Sequence, residues 1–413
     1  MKRSNLYGAI AAMMLVTGVG TANAAFVVGG ENGWQLSTDG IVDVFSVYQT
    51  TSPKPAAARF TTFLNSTADQ YQNFGVKVGL LPSVIAFNVK APTVNGVESS
   101  VRVGIYPSIQ NKNQDMRFET SPNIDFREFF YTAKGKYGEL LAGRALNLYQ
   151  GKNILTDMTL LTAGVVPAPG TTTTLGHIGY GYLYTNFGPQ IRYTTPDLNG
   201  VKVALSVNEP YKISSDTAKT NSPRIETEIS YATVLGGGTS LQAWASGLYQ
   251  SATRKAGVAR PGEDNQSIGG AAGASVGFGG IDLLASGYVG EGLGMISAQD
   301  GDAFGSSSTD AAGKERTHFG FLAQATYKPT ADIKLGLNYG QNRQVASDDD
   351  KVKLGGVGFS VPMFKQEAAS FIAVYNFNKF TQFVAEYSYA QNTWQDSQTQ
   401  HSNSFAIGTM FYW

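Results

Sequence analysis

Arg102, Arg192 and Lys90 occupy the polar positions of runs in which every second residue is apolar, so each cation falls on one face of an extended segment. Val101, Val103 and Ile105 alternate with Ser100, Arg102 and Gly104. Ile191 and Tyr193 alternate with Gln190 and Arg192, and Ile85, Phe87 and Val89 with Ala86, Asn88 and Lys90. Cations fixed in this way do no covalent chemistry. On the inner face of a closed wall they would hold a field across a water-filled passage, attracting anions and orienting dipolar solutes.

Residue types that support covalent or metal chemistry lack the required spacing. There is no cysteine, which removes disulfides and thiolate sites. His177, His318 and His401 have no metal-ligand spacing, and no Ser or Asp is tied to His318 as in a hydrolase triad. Gly179-Tyr180-Gly181 and the Gly-rich stretch 269–280 lack the strand-to-helix setting and the Gly-Lys-Ser/Thr ending of a phosphate loop. Asp348, Asp349 and Asp350 read as a solvated acidic run in a loop, with a divalent cation or a bridge to lipopolysaccharide as the sharper alternative. No catalytic residue, metal site or cofactor is expected.

The elements that would position the cations are strands throughout. In the last nine residues Phe405, Ile407, Thr409, Phe411 and Trp413 share a face, opposite Ala406, Gly408, Met410 and Tyr412. A face that is apolar to the final residue is best satisfied by lipid. Counting alternating runs predicts sixteen strands, near 39–49, 73–91, 97–106, 124–134, 137–145, 188–195, 200–208, 224–234, 239–250, 267–278, 280–290, 316–328, 332–343, 367–377, 381–391 and 402–413. Short turns, such as Asn95-Gly96, 197–200 and Gly279-Gly280, alternate with long polar connections. The fold class is therefore all-β, a transmembrane antiparallel barrel with short turns at one rim and long loops at the other. Two places leave the pattern open: 354–362 has the composition of an extra strand, and Phe126, Phe129 and Phe130 break the period of 124–134.

Lys2 and Arg3, an apolar stretch over about residues 9–19, and Ala22-Asn23-Ala24 form a secretory leader, predicted to be cleaved after Ala24. Residues 25–413 then form a single barrel domain of 389 residues. Without Lys2 and Arg3 the chain carries 29 basic groups against 31 acids, a balance that gives no sign of nucleic-acid binding. The 48 glycines, 21 tyrosines and 23 phenylalanines, with only 15% charged residues, suit short strands, tight turns and aromatic girdles. A mean hydropathy of -0.14 is compatible with a membrane wall, because each strand shows lipid only every second residue.

With its leader, GELLAGR at 138–144, QIRYTTP at 190–196 and the terminal Phe411-Tyr412-Trp413, the chain resembles the general porins of Gram-negative bacteria. The resemblance implies a sixteen-stranded barrel with its long third loop folded into the lumen. It also implies a homotrimer in the outer membrane, in contact with lipid and lipopolysaccharide, that passes small hydrophilic solutes and ions by passive diffusion. The third loop corresponds to 146–187, about 40 residues in which Lys152, Asp157 and His177 are the candidate charges among Leu160, Leu161, Val165, Val166 and Thr171 to Thr174. Opposite it, the family's basic wall maps onto Arg144 and Arg192, with Arg102 and Lys90 as further inward cations. The chain departs from the family in ending on Trp413 and in lacking an acidic Pro-Glu-Phe-Gly-type segment in the loop, which points to a mildly anion-preferring pore. Arginines cancelled by Glu226, Glu228 or Glu386 are the competing outcome. Other functional readings are a channel selective for small aromatic carboxylates, a barrel hydrolase, and a surface adhesin using the loops at 291–315 and 344–366.

Overall fold

The computed structural model describes residues 26–55, 62–64, 69–110, 124–168, 173–220, 222–299, 308–356 and 359–413; the leader lies outside them. Nineteen strands are defined among the described residues. They are β1 (Phe26–Gly29), β2 (Gln35–Thr51), β3 (Tyr71–Lys77), β4 (Val84–Lys90), β5 (Glu98–Pro107), β6 (Ile124–Gly135), β7 (Gly138–Leu146), β8 (Phe187–Thr194), β9 (Val201–Asn208) and β10 (Thr217–Lys219). The remainder are β11 (Arg224–Val234), β12 (Ser240–Arg254), β13 (Asp264–Phe278), β14 (Ile281–Glu291), β15 (Thr317–Tyr327), β16 (Ile333–Gln344), β17 (Met363–Asn376), β18 (Thr381–Trp394) and β19 (Thr399–Tyr412). Among the described residues, two short α-helices, α1 (Gly151–Thr156) and α2 (Asp348–Lys353), lie between strands.

All pairings between these strands are antiparallel, and β19 closes the ring by pairing with β2 from Ser402↔Thr51 to Tyr412↔Ile41. β3 and β4 lie end to end along β2, while β1 and β10 are short additions beside β2 and β12, so the wall has sixteen staves. Closure leaves no unpaired edge, which a sheet in hydrocarbon requires. The predicted alternation is the one observed on the last strand. Phe405, Ile407 and Phe411 are 56%, 71% and 49% exposed on the outer face, whereas Ala406, Met410 and Tyr412 are buried on the inner one. The chain end is pinned: Gly40 and Trp413 exchange backbone hydrogen bonds of 3.1 and 3.2 Å, and the indole fills the space that a side chain at Gly40 would need.

The break in period at Phe126 and Phe129 is a bulge. Gly104 pairs with Glu128 but Tyr106 with Asp125, so β6 carries one extra residue opposite β5. Phe126 and Phe129 therefore both face outward while Glu128 turns in, buried. The single strand expected over 73–91 is interrupted at 78–83, where the chain leaves the wall and bonds inward: Leu80 N–H to Thr162 O at 3.0 Å, Leu81 N–H to Leu160 O at 3.1 Å. The stretch 354–362 forms no strand among its described residues, and the acidic run before it is the first turn of α2, capped by Ser347.

The principal apolar core is not central to the barrel. It lies between the segment 147–186 and one side of the wall, with Leu160, Val165, Val166, Ile178 and Tyr180 of the segment packed against Phe45, Ile372, Val384 and Met410 of β2 and β17–β19.

Candidate pore lining

The segment joining β7 to β8 is held by wall side chains on the inward phase of their strands. Glu386 on β18 accepts hydrogen bonds from the Ala163 and Gly164 amides, both at 2.8 Å. Glu226 on β11 accepts from the Leu148 and Tyr149 amides at 2.8 and 2.9 Å and pairs with Arg224. Gln324 bridges the Met158 amide and the Thr156 carbonyl, and Trp244 donates to Asn153. The close approach to β16 requires Gly340, since a Cβ there would stand 2.3 Å from the Tyr180 carbonyl oxygen. Backbone polar groups far from the wall ladder thus find partners, as burial demands.

Asp157, expected to supply a loop charge to the passage, instead organises the segment. It is buried and accepts from Thr159 N–H (2.9 Å), Thr159 Oγ1 (2.7 Å), His177 N–H (3.2 Å) and the Tyr182 hydroxyl (2.7 Å). Burial and the adjacent Asp157 charge push the Tyr182 hydroxyl well above its ordinary pKa, so it stays a donor. Lys152 lies half-exposed on α1.

The predicted wall cations separate into four situations. Arg144 shares the outward face of β7 with Leu140, pairs in register with Phe129 and donates to the Phe187 carbonyl. This corrects its assignment to the lumen; strand phase overrides position in the family motif. Lys90 is at the short-turn rim, exposed and paired with Glu98 at 3.3 Å, so it belongs to the mouth and not to a constriction. Arg102 points inward but is matched by two acids, Asp39 (2.9 Å) and Glu128 (2.8 Å), and also donates to Asn88. Arg192 points inward on β8, donates to the Leu146 carbonyl at 3.4 Å at the root of the inward segment, and makes no ion pair among the described residues.

Around Arg192 lie Glu139, Glu226 and Glu228, none within ion-pair distance of it. Lys202 on the inward phase of β9 completes this charged side of the lumen. Sequence reasoning missed Asp39 and Glu128 as the partners of Arg102, and missed that Glu386 and Glu226 serve as acceptors for loop amides. A usable signal existed for Glu386: it is an inward acid whose register neighbours, Ala406 and Ile372, offer no cation. His318 is buried, with Nε2 3.0 Å from Gln344 Oε1.

A family model described as Gram-negative porin matches residues 9–395. No curated protein sequence is detectably similar. Among solved structures, the chain is similar to the outer membrane channel DcaP of Acinetobacter baumannii, with a TM-score of 0.67, 14% identity, and coverage of 94% of this chain and 100% of the other. It is also similar to an anion-selective porin from Comamonas acidovorans (TM-score 0.61, 15% identity, 92% of this chain and 100% of that one). A third is OmpF of Salmonella typhi (TM-score 0.55, 14% identity, 92% and 98%). At these identities the likeness is one of fold.

Proposed function

The chain belongs to the Gram-negative porins, outer-membrane channels for small solutes, and we propose that its passage runs between the inward segment and the wall of β5–β11 with a mild preference for anions. The observation that carries this reading is the state of the inward charges. Glu226 and Glu386 are occupied by loop amides, and Asp39 and Glu128 by Arg102, whereas Arg192 makes no ion pair among the described residues. Glu139 and Glu228 lie near Arg192 on the same side of the wall, and Lys202 is on the inward phase of the neighbouring β9, which keeps the preference weak. Transport is passive, without a reaction or cofactor. The mature chain begins at residue 25, assembles as a homotrimer as the resemblance to trimeric porins implies, and meets lipid and lipopolysaccharide with its outer face.

Reversal potentials of single channels across a KCl gradient test this. Arg192→Glu is expected to turn a weak anion preference into a cation preference, while Arg144→Glu, on the outer face, leaves the sign unchanged. An Arg192→Glu channel with unaltered reversal potential would remove Arg192 from the passage.

A further inference from the structure

Where the 3-10 turn Met158–Leu161 of the inward segment meets the short turn 328–332, the wall and the segment line a partly open cavity of about 130 Å³. Its surfaces differ in kind. Met158, Leu161 and Val374 supply apolar walls, and Lys328 and Lys334 supply two cations at the side formed by β16 and the turn before it. Neither lysine makes an ion pair among the described residues; Asp282 is the acid whose charge reaches Lys334. Asn376 and Gln382 add polar groups, and Gln382 is already committed to Asn376 and Tyr412. A closed apolar cavity of about 150 Å³ accommodates benzene, so this partly open one of mixed lining has the volume for an apolar body of roughly six carbons.

We infer that this niche, at the short-turn rim on the packed side of the barrel, binds a small amphipathic organic anion, its carboxylate on Lys328 and Lys334 and its hydrocarbon part against Met158, Leu161 and Val374. Two cations of like sign beside one apolar wall are stabilised by a single anion between them, and the apolar wall discriminates such an anion from chloride or acetate. The inference deepens the channel reading by naming a class of solute held at one rim. It depends on the niche alone for its binding and on the channel for its consequence.

Calorimetric titration of the detergent-folded full-length mature chain with hexanoate, hexanol and acetate tests it. Hexanoate is expected to bind, and hexanol and acetate to bind at least about tenfold more weakly. The double variant Lys328→Gln/Lys334→Gln is expected to lose about tenfold or more in hexanoate affinity. Val374→Phe, which fills the cavity and keeps both lysines, is expected to abolish binding. Hexanoate binding that is absent, or equal in the parent and both variants, overturns the inference, as does hexanol binding as tightly as hexanoate. KCl conductance of the same preparation is read separately. Binding without conductance would uphold the niche and strike the channel reading, whereas conductance without binding would do the reverse.

Discussion

The two sides of the lumen are built by opposite means. On the side of β2 and β15–β19 the inward segment is packed against the wall as a protein interior, with Phe45, Ile372 and Met410 buried beneath Val165, Ile178 and Tyr180. On the side of β5–β11 the inner face carries Arg102, Arg192, Lys202 and Glu228, with the acids Glu128 and Glu226 buried against Arg102 and against the segment's Leu148 and Tyr149 amides. An interior filled by apolar contact resists rearrangement, since packing tolerates little change in shape. A face lined by charges needs water to remain there. With the proposed passage on the charged side, the inward segment divides the barrel into a structural half and a conducting half, and substitutions in the two halves should fail in different ways.

The largest effect is expected from Glu386→Ala in the packed half. It leaves the buried Ala163 and Gly164 amides without an acceptor, each costing about 1–3 kcal/mol. The segment should loosen, lowering the unfolding midpoint in urea and producing larger, noisier single-channel currents. An unchanged conductance trace would show that the packed half does not hold the segment in place.

Arg102→Ala in the conducting half comes next, with an expected loss of about 3 kcal/mol, because Asp39 and Glu128 would be left facing each other without a cation. Here the segment is not released, so the channel size should persist while selectivity moves toward cations. Adding Asp39→Asn and Glu128→Gln to Arg102→Ala should recover much of the stability. If the triple variant is no more stable than the single one, the cluster is not an electrostatic unit. Comparing conductance and midpoint for Glu386→Ala and Arg102→Ala sharpens the contrast more than either alone.

Alternation alone made the wall legible, because lipid outside and water or packing inside impose a period of two on nearly every strand. Its exceptions were illegible where the cause lies far along the chain. The interruption at 78–83 exists because Leu80 and Leu81 bond to Thr162 and Leu160, about eighty residues away. The inward turn of Glu128 depends on a bulge against β5, and the pairing of Arg102 with Asp39 on a contact across 63 positions. Arg144 was legible from its own strand, since Leu140 and Ala142 share its phase. The motif comparison pointed the other way, and the phase prevailed.

The smallest effect concerns whether the packed half extends to the long-loop rim. Above β15–β17, Arg316 and Asp350 form a buried bidentate pair at 2.8 and 2.6 Å, joining the connection before β15 to α2. Burial alone would raise the Asp350 pKa, but the Arg316 hydrogen bonds and charge, with Ser347, outweigh it and hold the carboxyl below its ordinary value of 3.8. A carboxyl depressed in the folded state contributes stability that is fully present above the unfolded value and is lost as pH falls through the folded one. The clasp should therefore be intact at pH 5 and open only below about pH 3.8. Pepsin cleavage near 345–356, followed from pH 5 to pH 2 and normalised to a control substrate, should rise severalfold across that lower window. Asp350→Asn should be cleaved readily at every pH, because the neutral amide cannot replace the charge that Arg316 requires. If the parent and Asp350→Asn are cleaved alike at pH 5, the pair does not hold the rim, and the packed half ends where the segment 147–186 ends.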